Sequence, residues 1–192
     1  MAGENLEHRR RERDRIPARP GTQVGWGESG LGFLFNPRSS EAVEYRLYNP
    51  EDFEALYAIE EVCFQPPFRF GRRYMRALAG STNTATWIAE DDGRMAGFAV
   101  AEWSEESGQT AAYIQTLEVL PEARGQGVGG ELLSRIEGSA RAAGADLIWL
   151  HVDAENSGAF RLYEAKGFRC EGREENYYPK ARAALICVKT LG

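Results

Sequence analysis

Across its 192 residues the chain has no apolar run near the roughly 20 that a membrane-crossing helix requires, so a helical span is excluded and no membrane partner is expected. Basic charge is not in excess. Lys and Arg number 23 against 29 Asp and Glu, a net charge of −6. A partner held by its phosphate backbone needs a basic face, so nucleic acid is set aside. Cysteine is scarce: Cys63, Cys170 and Cys187 are widely spaced and odd in number. They are expected to form neither a disulfide framework nor a zinc site, and no metal is expected. Histidine is scarcer, at two residues, His8 and His151. That leaves few candidates for proton transfer near neutral pH. The N-terminus lacks the apolar core of a signal peptide, and the expected compartment is the cytoplasm.

What is present divides into two parts. Residues 1–42 read as an N-terminal extension. Its first 20 residues carry few apolar side chains and include the mixed-charge run RRRERDR (9–15), so they are expected to be disordered. Residues 21–35 are Gly-rich yet carry Trp26, Leu31, Phe33, Leu34 and Phe35, a patch that packs either on its own domain or on a second copy. Residues 43–192 read as one domain. VEYRLY (43–48) alternates as a strand does, and Asn49-Pro50-Glu51-Asp52 opens a helix that ends before Gln65-Pro66-Pro67. A second helix is predicted over 72–78. Strands follow at TATWIAE (84–90), MAGFAVAEW (95–103) and AAYIQTLEVL (111–120), joined by a tight turn at Asp91-Asp92-Gly93 and by a turn at SEESGQ (104–109). Beyond Pro121 the apolar period lengthens to 3.6, with Leu132, Leu133, Ile136 and Ala140 on one helix face. DLIWLHV (146–152) is the near-continuous apolar run of a strand covered on both sides. A helix over 157–165 and two strands near 168–177 and 183–190 complete an α/β mixed sheet.

The densest signal is Arg124-Gly125-Gln126-Gly127-Val128-Gly129-Gly130, between a strand and a helix. Glycine lets backbone approach a ligand closely, and the unpaired amides and dipole at a helix start favour phosphate. Gly125-x-Gly127-x-x-Gly130 literally matches a dinucleotide fingerprint, but that motif belongs to a first βαβ unit with parallel strands after it. Here an antiparallel stretch precedes the loop and a hairpin ends the chain, so hydride chemistry is set aside.

Arg124-x-x-Gly127-x-Gly129 resembles the acyl-CoA pyrophosphate loop of the GNAT acetyltransferase superfamily. YIQTLEVLPEARGQGVGGELL (113–133) is similar to its acetyl-CoA motif, and NSGAFRLYEAKGF (156–168) to its second hallmark, N-x-x-A-x-x-x-Y-x-x-x-G-F. The chain is thus identified as resembling a GNAT enzyme, and within it the N-terminal acetyltransferases of the ribosomal-protein alanine type and of the eukaryotic type acting on methionine-start peptides. The resemblance implies a mostly antiparallel sheet of about seven strands with a splayed central pair, flanked by about four helices. It also implies acetyl-CoA as co-substrate. Backbone of Leu117, Glu118 and Val119 would meet the pantetheine arm. Amides of Arg124, Gly125, Gln126, Gly127, Val128 and Gly129 would hold the pyrophosphate, with Asn156 and Tyr163 at the thioester end.

The reaction asks that an amine lose a proton and a thiolate gain one. His151, in WLHVDAEN, stands where the methionine-start branch carries a histidine, and Tyr113 matches that branch's partner tyrosine. The two are expected on neighbouring strands, sharing a water. Tyr163 is the candidate acid. For the acceptor, the resemblance implies that Phe64, Pro66 and Phe68 of VCFQPPFRF (62–70) form an apolar pocket and that Tyr177 and Tyr178 of NYYPK (176–180) hold peptide backbone. Being consecutive, only one of those tyrosines is expected to face the groove. Gln115 stands where the eukaryotic branch has an apolar contact with its substrate. The expected function is acetyl transfer to the α-amine of a protein or peptide, by a monomer or homodimer. The alternatives are a small-amine acetyltransferase, drawing on Glu102, Glu105, Glu106 or Glu118 to bind a cation, and a non-catalytic acyl-CoA-binding protein. Cys63 as an acetyl-cysteine nucleophile is discounted, because no base is marked beside it.

Overall fold

Residues 42–192 are described by a computed structural model. The extension expected over 1–42, with its disordered start and its apolar stretch at 21–35, lies outside the described residues save for Ala42.

The chain enters through β1 (Glu44–Leu47) and turns at Pro50 into α1 (Phe53–Cys63), followed by α2 (Arg72–Ala79). The turn is fixed by Asp52. Its carboxylate accepts from the Asn49 amide at 2.7 Å and from both terminal nitrogens of Arg46 at 2.7 and 2.8 Å. Arg46 also reaches Glu90 at 2.9 Å, so one side chain joins the first strand, the helix start and the second strand. The meander is β2 (Thr84–Asp91), β3 (Arg94–Glu106) and β4 (Gln109–Val119). Its second hairpin is tighter than the sequence suggests. Ser107 and Gly108, at φ 53° and 76°, make the whole turn, and the strands run out to meet them.

The crossover helix α3 (Val128–Ala142) leads to β5 (Leu147–Asp153), then α4 (Ser157–Ala165), β6 (Arg169–Tyr178) and β7 (Arg182–Thr190). The strands form one seven-stranded sheet in the order β1-β2-β3-β4-β5-β7-β6, antiparallel everywhere except between β4 and β5. Four helices cover it, as expected. α3 and α4 pack on one face through Leu132, Leu133, Ile136, Ala159 and Tyr163. α1 and α2 pack on the other through Phe53, Leu56, Ile59, Met75 and Leu78.

Two irregularities shape the middle of the sheet. Val100 pairs with Thr116 and Ala101 with Ile114, which leaves Gln115 as an extra residue in β4. The bulge flips the alternation. Ala112 and Ile114 face α3, and so do Leu117 and Val119. The second is the β4–β5 ladder, which holds only Ala111↔Leu147, Ala112↔Ile148 and Tyr113↔Trp149. Beyond that last pair the strands share no ladder, and this is the splay the resemblance implies.

The cysteine expectation is corrected. Cys170 and Cys187 stand opposite each other on β6 and β7 and are joined as a disulfide. A register shift between Cys170 and Gly172 sets this pairing, and spacing in sequence does not reveal it. Among the described residues no helix is long and apolar enough to cross a membrane, and no group of side chains could hold a metal ion.

Candidate active site

The open edge of β4 runs into the glycine loop. Gly125 and Gly127 lie at φ 74° and 85°, left-handed values that a side chain would strain. Gly127 is the N-cap of α3, so the helix starts at Val128, inside the glycine loop itself. The first intrahelical bond is Glu131 N to Gly127 O, at 3.0 Å. The amides of Val128, Gly129 and Gly130 precede it, the usual condition for anion binding at a helix start. A Cβ on Gly129 would sit 3.4 Å from Leu162 and 3.5 Å from Leu117, ordinary contact distances, so α3 lies against both β4 and α4 at this point.

Arg124 behaves differently from its neighbours. Its guanidinium turns under the loop, donating to Val119 O at 2.9 Å and lying 3.8 Å from the Cys63 sulfur. Its amide donates to Pro121 O at 3.3 Å. The side chain thus ties the loop to β4 and to the end of α1. Gln126 braces the same loop, with its Nε2 donating to Glu122 O at 2.9 Å. Asn156 caps α4, accepting from the Ala159 amide at 3.0 Å. Tyr163, fully buried, lies with its ring edge-on to Phe168 at 5.5 Å. Both belong to the α3–α4 face. The positive-φ glycines, the helix-start amides and the unladdered β4 edge fit a pyrophosphate with an extended arm.

The opposite face carries a second constellation. Ile148, Leu150 and Val152 point toward α3. Trp149, His151 and Asp153 therefore point toward α1 and α2. The Tyr113 hydroxyl lies 3.1 Å from His151 Nδ1, so the pair expected to share a water is in direct contact. Tyr177 stacks on the imidazole, centroids 4.3 Å apart and planes 3° from parallel. Trp149 meets it edge-on at 5.4 Å. Glu174 on β6 places a carboxylate oxygen 3.6 Å from His151 Nε2.

The two tyrosines of NYYPK sit where strand pairing is irregular. The β6–β7 register slips between Glu174 and Tyr178, with Asn176 at φ 55°. Strict alternation is lost, and Tyr177 and Tyr178 turn onto each other at 4.8 Å with planes 89° apart. The α1–α2 loop also differs from a shared pocket. Phe64 is buried, Pro66 is exposed, and Phe68 lies half-buried under the Arg182 guanidinium at 5.8 Å. Arg182 pairs in turn with buried Asp153 at 2.6 Å, which fastens this loop to the β7 entrance. Gln115 donates to Glu102 at 2.8 Å. Glu118 is buried, accepting from Thr116 Oγ1 at 2.7 Å. The Cys63 thiol is pushed up to about 12, chiefly by burial and then by Glu118, with Arg124 opposing. It is therefore protonated at neutral pH, in line with its being discounted as a nucleophile.

Sequence reasoning missed Glu174 and Gly97. β6 reads RCEGREENYY, a charged run in which no alternation marks an inward face. Gly97 gave only the weak hint of a glycine within a strand. A Cβ there would sit 2.5 Å from Glu118 O.

The acetyltransferase (GNAT) family model matches residues 44–168. The chain belongs to the GNAT acetyltransferase family. As a member it is an N-acetyltransferase with acetyl-CoA as acyl donor. It is 31% identical over 129 residues to the ribosomal protein bS18-alanine N-acetyltransferase of Haemophilus influenzae, covering 67% of this chain and 83% of that one. It is 26% identical to the histone acetyltransferase MCC1 of Arabidopsis thaliana, over 71% of this chain and 64% of MCC1, so under two thirds of that relative is spanned. In structure it resembles Arabidopsis thaliana NAA60 in complex with acetyl-CoA, with TM-score 0.71, 25% identity, 78% of this chain and 98% of that chain covered.

Proposed function

We propose that this N-acetyltransferase acts on the N-terminal α-amine of a protein or peptide, with residues 43–192 as its catalytic unit. The observation that carries the reading is the contact of Tyr113 with His151 Nδ1 at 3.1 Å, under the Tyr177 ring, just past the point where β4 and β5 part. An α-amine has a pKa near 8 and a lysine side chain one near 10.4, so an imidazole is far better matched to the former. Acetyl-CoA, when bound, supplies the thioester carbon that the amine attacks. His151 with Tyr113 takes the amine proton, and Tyr163 gives one to the leaving thiolate. Leu117, Glu118 and Val119 offer the β4 edge, and the loop amides from Gly125 to Gly129 receive the pyrophosphate. Phe68, Tyr177 and Tyr178 frame the acceptor.

Two further observations favour a peptide over a small cation. The acids that a small cation would need are not gathered in one place. Glu102 is engaged by Gln115 and Asn83, Glu105 is exposed on the hairpin, and Glu118 is turned to Thr116 beneath α1. The curated relatives also include a bS18-alanine N-acetyltransferase and the catalytic subunit NAA10 of Arabidopsis thaliana, which is 28% identical over 144 residues.

The test is acetyl-CoA turnover over a library of free-N-terminus peptides, the same peptides with blocked α-amines and an internal lysine, and a panel of polyamines, amino acids and aminoglycosides. Turnover of the free-N-terminus peptides alone is expected. Turnover of spermidine or of the blocked lysine peptides, with none of the free-N-terminus peptides, would overturn the reading.

A further inference from the structure

Resting on the reading of His151 as the base, we propose that Glu174 is a positioning residue that completes a Tyr113–His151–Glu174 proton relay. His151 is 2% exposed and is bracketed along its ring axis. Tyr113 Oη lies 3.1 Å from Nδ1 at one end, and Glu174 Oε2 lies 3.6 Å from Nε2 at the other. The stacked Tyr177 ring and the edge-on Trp149 hold the imidazole plane between them. A carboxylate beside Nε2 favours the tautomer that carries hydrogen there, because an Nε2 lone pair would face the negative oxygen. Nδ1 then keeps its lone pair and accepts the Tyr113 O–H. That leaves the Tyr113 oxygen with lone pairs for the substrate's N–H, so the phenol and not the imidazole meets the amine.

The step balances. One proton leaves the amine nitrogen for Tyr113 Oη as the phenolic proton passes to Nδ1. The phenol is neutral before and after, and the charge gained is a single imidazolium between Tyr113 and Glu174. This is the division of labour of hydroxyl, imidazole and carboxylate in serine hydrolases, with the hydroxyl acting as a relay and not as a nucleophile. The charged and titratable groups facing the imidazole come from separate elements: Tyr113 from β4, Glu174 and Tyr177 from β6, and Asp153 two residues along β5. Asp153 is paired with Arg182 of β7 at 2.6 Å, a guanidinium that also reaches exposed Glu155 at 3.2 Å, so Glu174 is the carboxylate that meets the imidazole directly.

The experiment uses the full chain labelled with ¹⁵N at histidine. Imidazole nitrogen shifts report the His151 tautomer and its titration, and kcat/KM against pH is measured on one peptide substrate. In the native protein the Nε2–H tautomer is expected. Glu174→Gln should move the His151 titration and the alkaline-rising limb of kcat/KM together to lower pH. It should also reduce kcat at its plateau by about tenfold, while acetyl-CoA affinity holds. Glu174→Asp should restore part of both. An Nδ1–H tautomer in the native protein, or a His151 titration unmoved by Glu174→Gln, would overturn the role of Glu174. A titration that moves while the kcat/KM profile stays put would overturn the reading of His151 as the base, and with it the relay.

Discussion

Cys63 lies at the end of α1 with Glu60 and Glu118 among the charges that act on it and the Arg124 guanidinium 3.8 Å from its sulfur. Burial dominates, and the thiol is held near 12. It is expected to react with iodoacetamide far more slowly than a free thiol at pH 7.5, and Cys63→Ser is expected to keep most of the activity, which a progress curve and a steady-state assay would check. Rapid loss of activity with one equivalent of reagent would contradict this placement. His151 is a single side chain read through what touches it. Its candidacy was legible from the scarcity of histidine and from its match to the histidine of the methionine-start branch that the sequence resembles. The ring contacts with Tyr177 and Glu174 were not, because they arise from an edge strand whose charged sequence gives no face and whose register slips before Tyr178.

At the scale of elements, β3 and β4 constrain each other where the donor is expected to bind. Gly97 pairs with Val119, and a methyl there would sit 2.5 Å from Glu118 O. Gly97→Ala should therefore push β4 out of place. The expected result is a loss of about 1–3 kcal/mol in stability, the usual range for overpacking, and a clear weakening of acetyl-CoA binding. Thermal unfolding and calorimetry check this, and unchanged binding would contradict it. At the start of α1, Arg46 holds the Asp52 carboxyl below its ordinary 3.8, against an opposing effect of burial. A depressed folded value means stability that is present above the unfolded value and lost as pH falls through the folded one. Asp52→Ala should cost about 1 kcal/mol at pH 7, since Arg46 is partly solvated and the cap bond is short, and the difference should shrink in acid as the carboxyl takes up its proton. Urea titrations at neutral pH and in acid measure it, and an equal cost at both would contradict it. Most helices and the meander strands were legible from their apolar period, and β5 from its continuous apolar run. The Cys170–Cys187 bond and the two-residue Ser107-Gly108 turn were not, because strand register and turn closure are set by partners distant in sequence.

On the scale of the whole molecule, the proposed reading divides two tasks between the faces of the sheet. In that reading the α3–α4 face presents the glycine loop, Asn156 and Tyr163 to the donor, and the α1–α2 face presents Tyr113, His151 and Tyr177 to the acceptor. Between them, β4 and β5 part beyond Tyr113 and Trp149. Motif spacing made the donor face legible before any coordinates. The acceptor face was legible only in part, since it is assembled from a bulged hairpin and a loop whose side chains settle in three different environments. The division of tasks implies that the acceptor face can be damaged without loss of donor binding. The most direct measurement is made on His151→Ala, with its thermal midpoint recorded to verify the fold: kcat on a peptide substrate and, separately, the acetyl-CoA Kd by calorimetry. The account predicts kcat lowered on the order of 10²-fold with Kd nearly unchanged. A variant with wild-type kcat and an unshifted pH profile would contradict it, leaving His151 as a packing residue and solvent as the base.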